Sequence, residues 1–401
     1  MQFTKIALAA AVTLVAAQAQ AATVYLAGAS ATAANYRSAL TSLCSGTATT
    51  YTNTSDSNKF AVKCSVNFNG IPGVDAVSFN VSGGSFTAIT TSAGNATDVF
   101  VDVAATNPNT ALTAPRKSEG GFLDIDAAAF PASELANAGL SAAPATQAAA
   151  FSQVFGVAVS PDLYTALQTA QGLTGCGIDS LSAACQPSIS KAQYTSIVSE
   201  SFNTAKQEIN TILGVGNNGD LLTVCRRVST SGTQASSNQY FLNAYIGGDG
   251  AAAGALAPAG LPDYSPANTG LTSFDVQEGA GTGNARTCLS NAGYALGVLS
   301  LENAVDLTTR AGGQRADRKF RFVKINGVAA YDGANNTATA KAGQYDFWFT
   351  SQKYGHTANG TAVVNAIDAK LGTVNLPGLF GNDLADAKAK RTSNTSPVFF
   401  N

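Results

Sequence analysis

At three places along this chain, a short run of strand-forming residues gives way to a turn of glycine and small hydroxyl residues where a helix can start. The turns are residues 28–32, 81–85 and 229–233. A strand that feeds a helix through a short turn, and does so repeatedly, belongs to a layered α/β fold. At the first turn, Thr23-Val24-Tyr25-Leu26-Ala27 reads as strand, and Tyr36, Leu40 and Leu43 then recur at helical spacing. Residues 151–159 form a strongly apolar strand candidate, and Ser160-Pro161-Asp162 after them is a helix start with proline in the first turn. Residues 221–228 read as a strand that leads into a helix running through Tyr240. Further strands are expected at 63–68, 76–81, 98–103, 294–301, 320–325 and 345–350. Residues 45–60 and 245–272 read as loop, and the Ala/Pro-rich stretch 109–150 shows no clear period. The alternation predicts a mostly parallel α/β sheet.

The first 21 of the 401 residues set the compartment. Lys5, an apolar run over 6–17 and Ala19-Gln20-Ala21 follow the pattern of a cleavable secretory signal peptide. The apolar run is too short to span a bilayer, and no cysteine lies near the cleavage point to carry a lipid. The expectation is a periplasmic or secreted protein that is not inserted in a membrane. Six cysteines, an even number in an exported chain, predict disulfides, although six allow many connectivities. Cys176 and Cys185 are near neighbours, Cys44 and Cys64 would close a loop, and Cys225 and Cys288 would then form a long-range link. Charged residues make up 12% of the chain, about half the usual share, and the net charge of −2 offers nucleic acid no basic footprint. A single histidine, His356, and scattered cysteines leave no metal-ligand cluster.

Each of the three turns has the makings of an anion site. A helix start presents unpaired N–H groups and the positive end of the helix dipole, and small residues let a ligand approach that backbone. The third turn is the sharpest case. Arg226-Arg227-Val228-Ser229-Thr230-Ser231-Gly232-Thr233 places guanidinium groups just ahead of the hydroxyl turn, and arginine suits forked bonding to tetrahedral oxyanions. No nucleotide-type phosphate loop occurs, and no nucleophile elbow that would pair a serine with His356. The expectation is therefore a binding protein without cofactor, not an enzyme.

Taken in order, these motifs resemble the periplasmic phosphate-binding proteins of ABC transporters, in the type 2 periplasmic-binding-protein superfamily. Ala27-Gly28-Ala29-Ser30-Ala31-Thr32 is similar to that family's N-terminal loop, and Val81-Ser82-Gly83-Gly84 to its second Ser/Gly loop. Phe100-Val101-Asp102-Val103-Ala104 is similar to its strand ending at a ligand-binding aspartate, and Arg227-x-x-x-Ser231-Gly232-Thr233 matches its anion motif in spacing. The resemblance spans most of residues 24–350. It implies a two-lobed fold with a hinge and an interdomain cleft, the first lobe formed by 22–112 plus 345–401 and the second by 113–344. It implies that Thr32, Ser82, Asp102, Arg227, Ser231, Gly232 and Thr233 line a site for inorganic phosphate or a related oxyanion. It further implies a transporter permease as partner, and Asp102 as the group that prefers a protonated ligand. The alternative is a secreted or surface protein that uses the same fold for adhesion or assembly.

Overall fold

The computed structural model describes residues 22–104, 112–198, 209–217, 220–242, 263–264, 274–304, 319–333 and 337–400. The expected signal peptide and most of the expected 245–272 loop lie outside them. Among the described residues, no helix is long and apolar enough to cross a membrane.

The chain begins as expected. Strand β1 (Ala22–Gly28) passes through the tight turn Ser30–Thr32 into helix α1 (Ala33–Leu43), which buries Tyr36, Ala39 and Leu40. Next come β2 (Ala48–Thr52), β3 (Lys59–Cys64), β4 (Val74–Asn80) and the short β5 (Gly120–Leu123). Strand β6 (Gln147–Val159) is followed by α2 (Pro161–Ala170), whose Ser160 hydroxyl accepts the Leu163 N–H and caps the helix. The second part of the chain holds β7 (Leu222–Arg227), α3 (Gly232–Leu242), β8 (Phe274–Gly279), α4 (Thr282–Asn291) and β9 (Tyr294–Ser300). The chain returns through β10 (Trp348–Gly355) and α5 (Ala358–Leu371) to β11 (Leu379–Gly381).

These strands join in a fourteen-stranded sheet whose spine runs, after the short strand Asp263–Tyr264, in the order β8, β7, β9, β6, β10, β5, β1, β4, β3, β2. The sheet is mixed rather than mostly parallel. β1 is parallel to β4 and β5, and β7 is parallel to β8 and β9. Between these two parallel groups, β6 runs antiparallel to both its neighbours. Its first part, as far as Val154, pairs with β10, and Phe155–Val159 pairs with β9. One strand is therefore shared by two half-sheets, and β6 is buried along nearly all of its length beyond Ala148. Where the chain crosses, the Phe155 N–H donates to the Phe347 carbonyl (3.0 Å) and the Tyr345 hydroxyl to the Phe155 carbonyl (2.7 Å).

Strand Gly120–Leu123 pairs with β1 in the first half-sheet. The change of half falls inside β6, well beyond residue 112. The glycines explain why β5 is hard to read as strand. A Cβ on Gly121, whose φ is +158°, would stand 1.7 Å from the Ala27 carbonyl oxygen, so this central strand fits only without side chains there. Two apolar clusters result. One packs α1 and α5 on the first half-sheet, and the larger fills the second half and the junction.

All six cysteines are paired, as Cys44–Cys64, Cys176–Cys185 and Cys225–Cys288, with Cα separations of 5.3, 5.2 and 5.9 Å. The third bond ties β7 to α4.

Candidate functional site

Parallel strands place their C-terminal ends on one edge, and in open α/β sheets that edge is where ligands bind. Here β1 delivers Ser30 and Thr32, β5 delivers Asp124, β7 delivers Arg227 and the turn to α3, and β8 delivers the turn to Thr282. The edges of the two half-sheets meet. Across the join, Ser30 and Thr282 share a hydrogen bond of 2.9 Å between hydroxyls. The Phe86 N–H donates to the Thr230 carbonyl (3.0 Å), the Thr230 hydroxyl donates to the Gly83 carbonyl (2.5 Å), and the Ser229 hydroxyl donates to Glu134. Two glycines permit this approach. A Cβ on Gly84 would stand 2.4 Å from the Thr230 carbonyl oxygen, and one on Gly232 would stand 2.1 Å from Ser85 Oγ and 2.7 Å from Asp124 Oδ2.

Arg227 sits in the middle of this join and is 1% exposed. Its Nη1 donates to Thr282 Oγ1 (2.8 Å), Nη2 to the Ala280 carbonyl (2.9 Å) and Nε to the Gly279 carbonyl (3.2 Å). The guanidinium is thus fixed on the β8–α4 turn. Burial lowers its pKa to about 10, and Asp124 opposes that shift. Burial raises the Asp124 carboxyl to about 7, against the pull of Arg227 and of the Thr233 hydroxyl, which donates to Oδ2 at 3.5 Å. Desolvation outweighs the mutual attraction of the two groups on both sides, as expected for charges taken out of water.

Three buried polar atoms in this region make no hydrogen bond: Asp124 Oδ1, Ser85 Oγ and Tyr36 Oη. Tyr36 is fully buried, and burial, reinforced by the nearby Asp124 charge, raises its phenol well above the ordinary range. Its hydroxyl lies beside that of Thr32, which donates to Gln153 Oε1 at 3.1 Å and can still accept from the phenol. Orphaned buried polar atoms are uncommon in folded proteins, and each one calls for a reason. Two hydroxyls, a carboxyl and a guanidinium thus share one buried region.

Of the residues singled out in the sequence, Thr32, Arg227, Ser231, Gly232 and Thr233 come together here, all of them buried. Ser231 precedes the first residue of α3, and its hydroxyl accepts the Gln234 N–H. Ser82 and Asp102 do not join them. The Ser82 hydroxyl donates to Asp56 Oδ2 (2.7 Å), and its N–H donates to Asn80 Oδ1 (2.9 Å). Three residues later, Ser85 is the serine that faces Gly232. Asp102 is half-buried just ahead of a turn and accepts the Ala104 N–H at 2.9 Å. The stretch 98–103 makes only the isolated bridges Asp98–Arg116 and Val101–Leu112, so it is no sheet strand. The strand that does end in an aspartate is β5, whose run Gly120-Gly121-Phe122-Leu123-Asp124 carries the same signal inside the unassigned 109–150 stretch. His356 is exposed at the end of β10, with Nδ1 3.2 Å from the Tyr354 hydroxyl.

No protein-family model matches this sequence, and no curated protein matches it. Solved structures do. The chain is similar to a phosphate ABC transporter substrate-binding protein with bound phosphate from Clostridium perfringens, at 13% identity, covering 86% of this chain and 93% of that one, with a TM-score of 0.45. It is also similar to the phosphate-binding protein from Stenotrophomonas maltophilia, at 15% identity, covering 92% of this chain and 81% of that one, with a TM-score of 0.38. A third is PstS from Borrelia burgdorferi, at 9% identity, covering 88% of this chain and 92% of that one, with a TM-score of 0.34.

Proposed function

We propose that this chain is an exported solute-binding protein that captures phosphate or a similar oxyanion between its two half-sheets, for ABC-type uptake or for scavenging. The observation that carries this reading is the buried Arg227 guanidinium, fixed on the β8–α4 turn near Asp124, with Asp124 Oδ1 and Ser85 Oγ unpaired. In this reading the half-sheets are two lobes, β6 passes through the hinge, and Thr32, Ser231, Gly232 and Thr233 complete the wall. Three disulfides support an oxidising compartment.

The roles follow from charge and protons. Arg227 neutralises the oxyanion, while the Tyr36 and Ser85 hydroxyls donate to it. Asp124, when ionised, accepts a hydrogen bond only from a ligand that still holds a proton, so it repels fully ionised sulfate. Charge-assisted hydrogen bonds contribute about 1.5–3 kcal/mol each. Micromolar affinity requires roughly 8 kcal/mol net, which a few such bonds supply.

Calorimetric titration with phosphate, sulfate and organic anions tests the reading. Saturable phosphate binding is expected, with at least tenfold weaker binding in Arg227→Ala. Wild-type protein that takes up none of these anions would refute it. Sulfate bound as tightly as phosphate would remove the role given to Asp124.

A further inference from the structure

A cavity of about 320 Å³ lies beneath the C-terminal segment, between that segment, the start of β10 and the chain just after β5. Trp348, Asp126, Lys390, Arg391, Asn382 and Asn394 are among the residues that line it. Its size falls within the range of small-molecule sites.

Its wall combines rigidity with unmet bonding capacity. Trp348 is 1% exposed, yet its indole Nε1–H has no partner. The Arg391 guanidinium lies over the rings of Trp348 and Phe349, 4.9 and 5.4 Å from their centroids. Nη1 and Nη2 of Arg391 are pinned on the carbonyls of Ser396 and Asp346, at 2.5 and 2.6 Å, which leaves Nε–H unpaired. Asp126 Oδ2 is buried and unpaired on the same cavity. Lys390 Nζ donates to the Asn382 carbonyl (2.5 Å) and has further N–H groups to give. The amide of Asn394 is spent on the backbone of Thr350, and that of Asn382 on Ser152 and Ala149.

What remains on the residues that line this cavity is three kinds of donor, two of them cationic, and one carboxylate that needs a donor in return. An inorganic oxyanion would meet that carboxylate unpaired. A molecule with two carboxylates and one ammonium would match every unpaired group and the excess of one positive charge.

We propose that this cavity is a second ligand site, for an acidic α-amino acid. Its carboxylates face Trp348, Lys390 and Arg391, and its ammonium group faces Asp126. The proposal is independent of what binds at Arg227.

The full chain carries its own reporter, because Trp348 is its only tryptophan and gives a single indole N–H resonance. Titration of isotope-labelled protein with L-glutamate and L-aspartate should shift that resonance saturably at or below millimolar concentration. Glutarate, which lacks the ammonium group, should bind at least tenfold more weakly. Asp126→Asn should bring glutamate down to the level of glutarate, and Lys390→Met should weaken both. An indole resonance that stays in place at millimolar glutamate and aspartate overturns the proposal, as does glutarate that binds as well as glutamate. The wild-type comparison of ligands decides the matter even if a variant fails to fold. Loss of phosphate binding alone would count against the proposed function and leave this site standing.

Discussion

Among single residues, Asp124 carries the sharpest consequence. Its carboxyl is raised from 3.8 to about 7, so at intermediate pH it holds a proton in the fold that it would have released in the unfolded chain. The folded state then binds more protons, and its contribution to stability declines as pH rises from about 4 to about 7 and is flat above that. Thermal melts across that window should show wild type losing ground against Asp124→Asn as pH rises. A pH-independent difference between the two would contradict the burial of this group. Tyr36→Phe separates binding from folding. Removing this buried hydroxyl should leave the melting temperature nearly level, while phosphate affinity falls several-fold to about tenfold, the value of one hydrogen bond. A variant that melts earlier with unchanged affinity would make the hydroxyl structural. At this scale the sequence was legible where a residue stands in one of the turn motifs, as Thr32 does in the first. Arg227 and Ser231-Gly232-Thr233 form one readable string, whereas Tyr36, Ser85 and Asp124 come from three separate elements and are united by packing alone.

At the scale of elements, the disulfide Cys225–Cys288 is the most exposed to test. It fastens β7, two residues before Arg227, to the helix whose first residue, Thr282, holds the Arg227 guanidinium. Replacing both cysteines with serine should lower unfolding stability by about 2–4 kcal/mol, measured by denaturant melts, and should weaken anion binding. Helices with caps and strands with long apolar runs were legible, as α2 and β6 show. The misses have physical causes. Residues 48–52 read as loop because β2 ends the order and pairs with β3 alone, and a strand with one neighbour needs no continuous apolar pattern. Residues 98–103 read as strand because Phe100 and Val101 are buried, yet burial does not require a ladder.

For the molecule as a whole, the join between the half-sheets depends on the close approach at Gly84 and Gly232. Gly232→Ala would drive a methyl group against Ser85 and Asp124 and push the halves apart. We expect phosphate affinity to fall at least tenfold with the circular dichroism spectrum unchanged, and a variant with full affinity would show that the join is not the binding place. The alternation of strands and helices made the two parallel groups legible. It could not show that antiparallel strands join them, because that depends on where β6 and β10 lie and not on the pattern within either. The sharing of β6 reaches further than binding. Neither half can melt without stripping hydrogen bonds from the flank of the other, so heating should produce one calorimetric peak, with the two halves lost together.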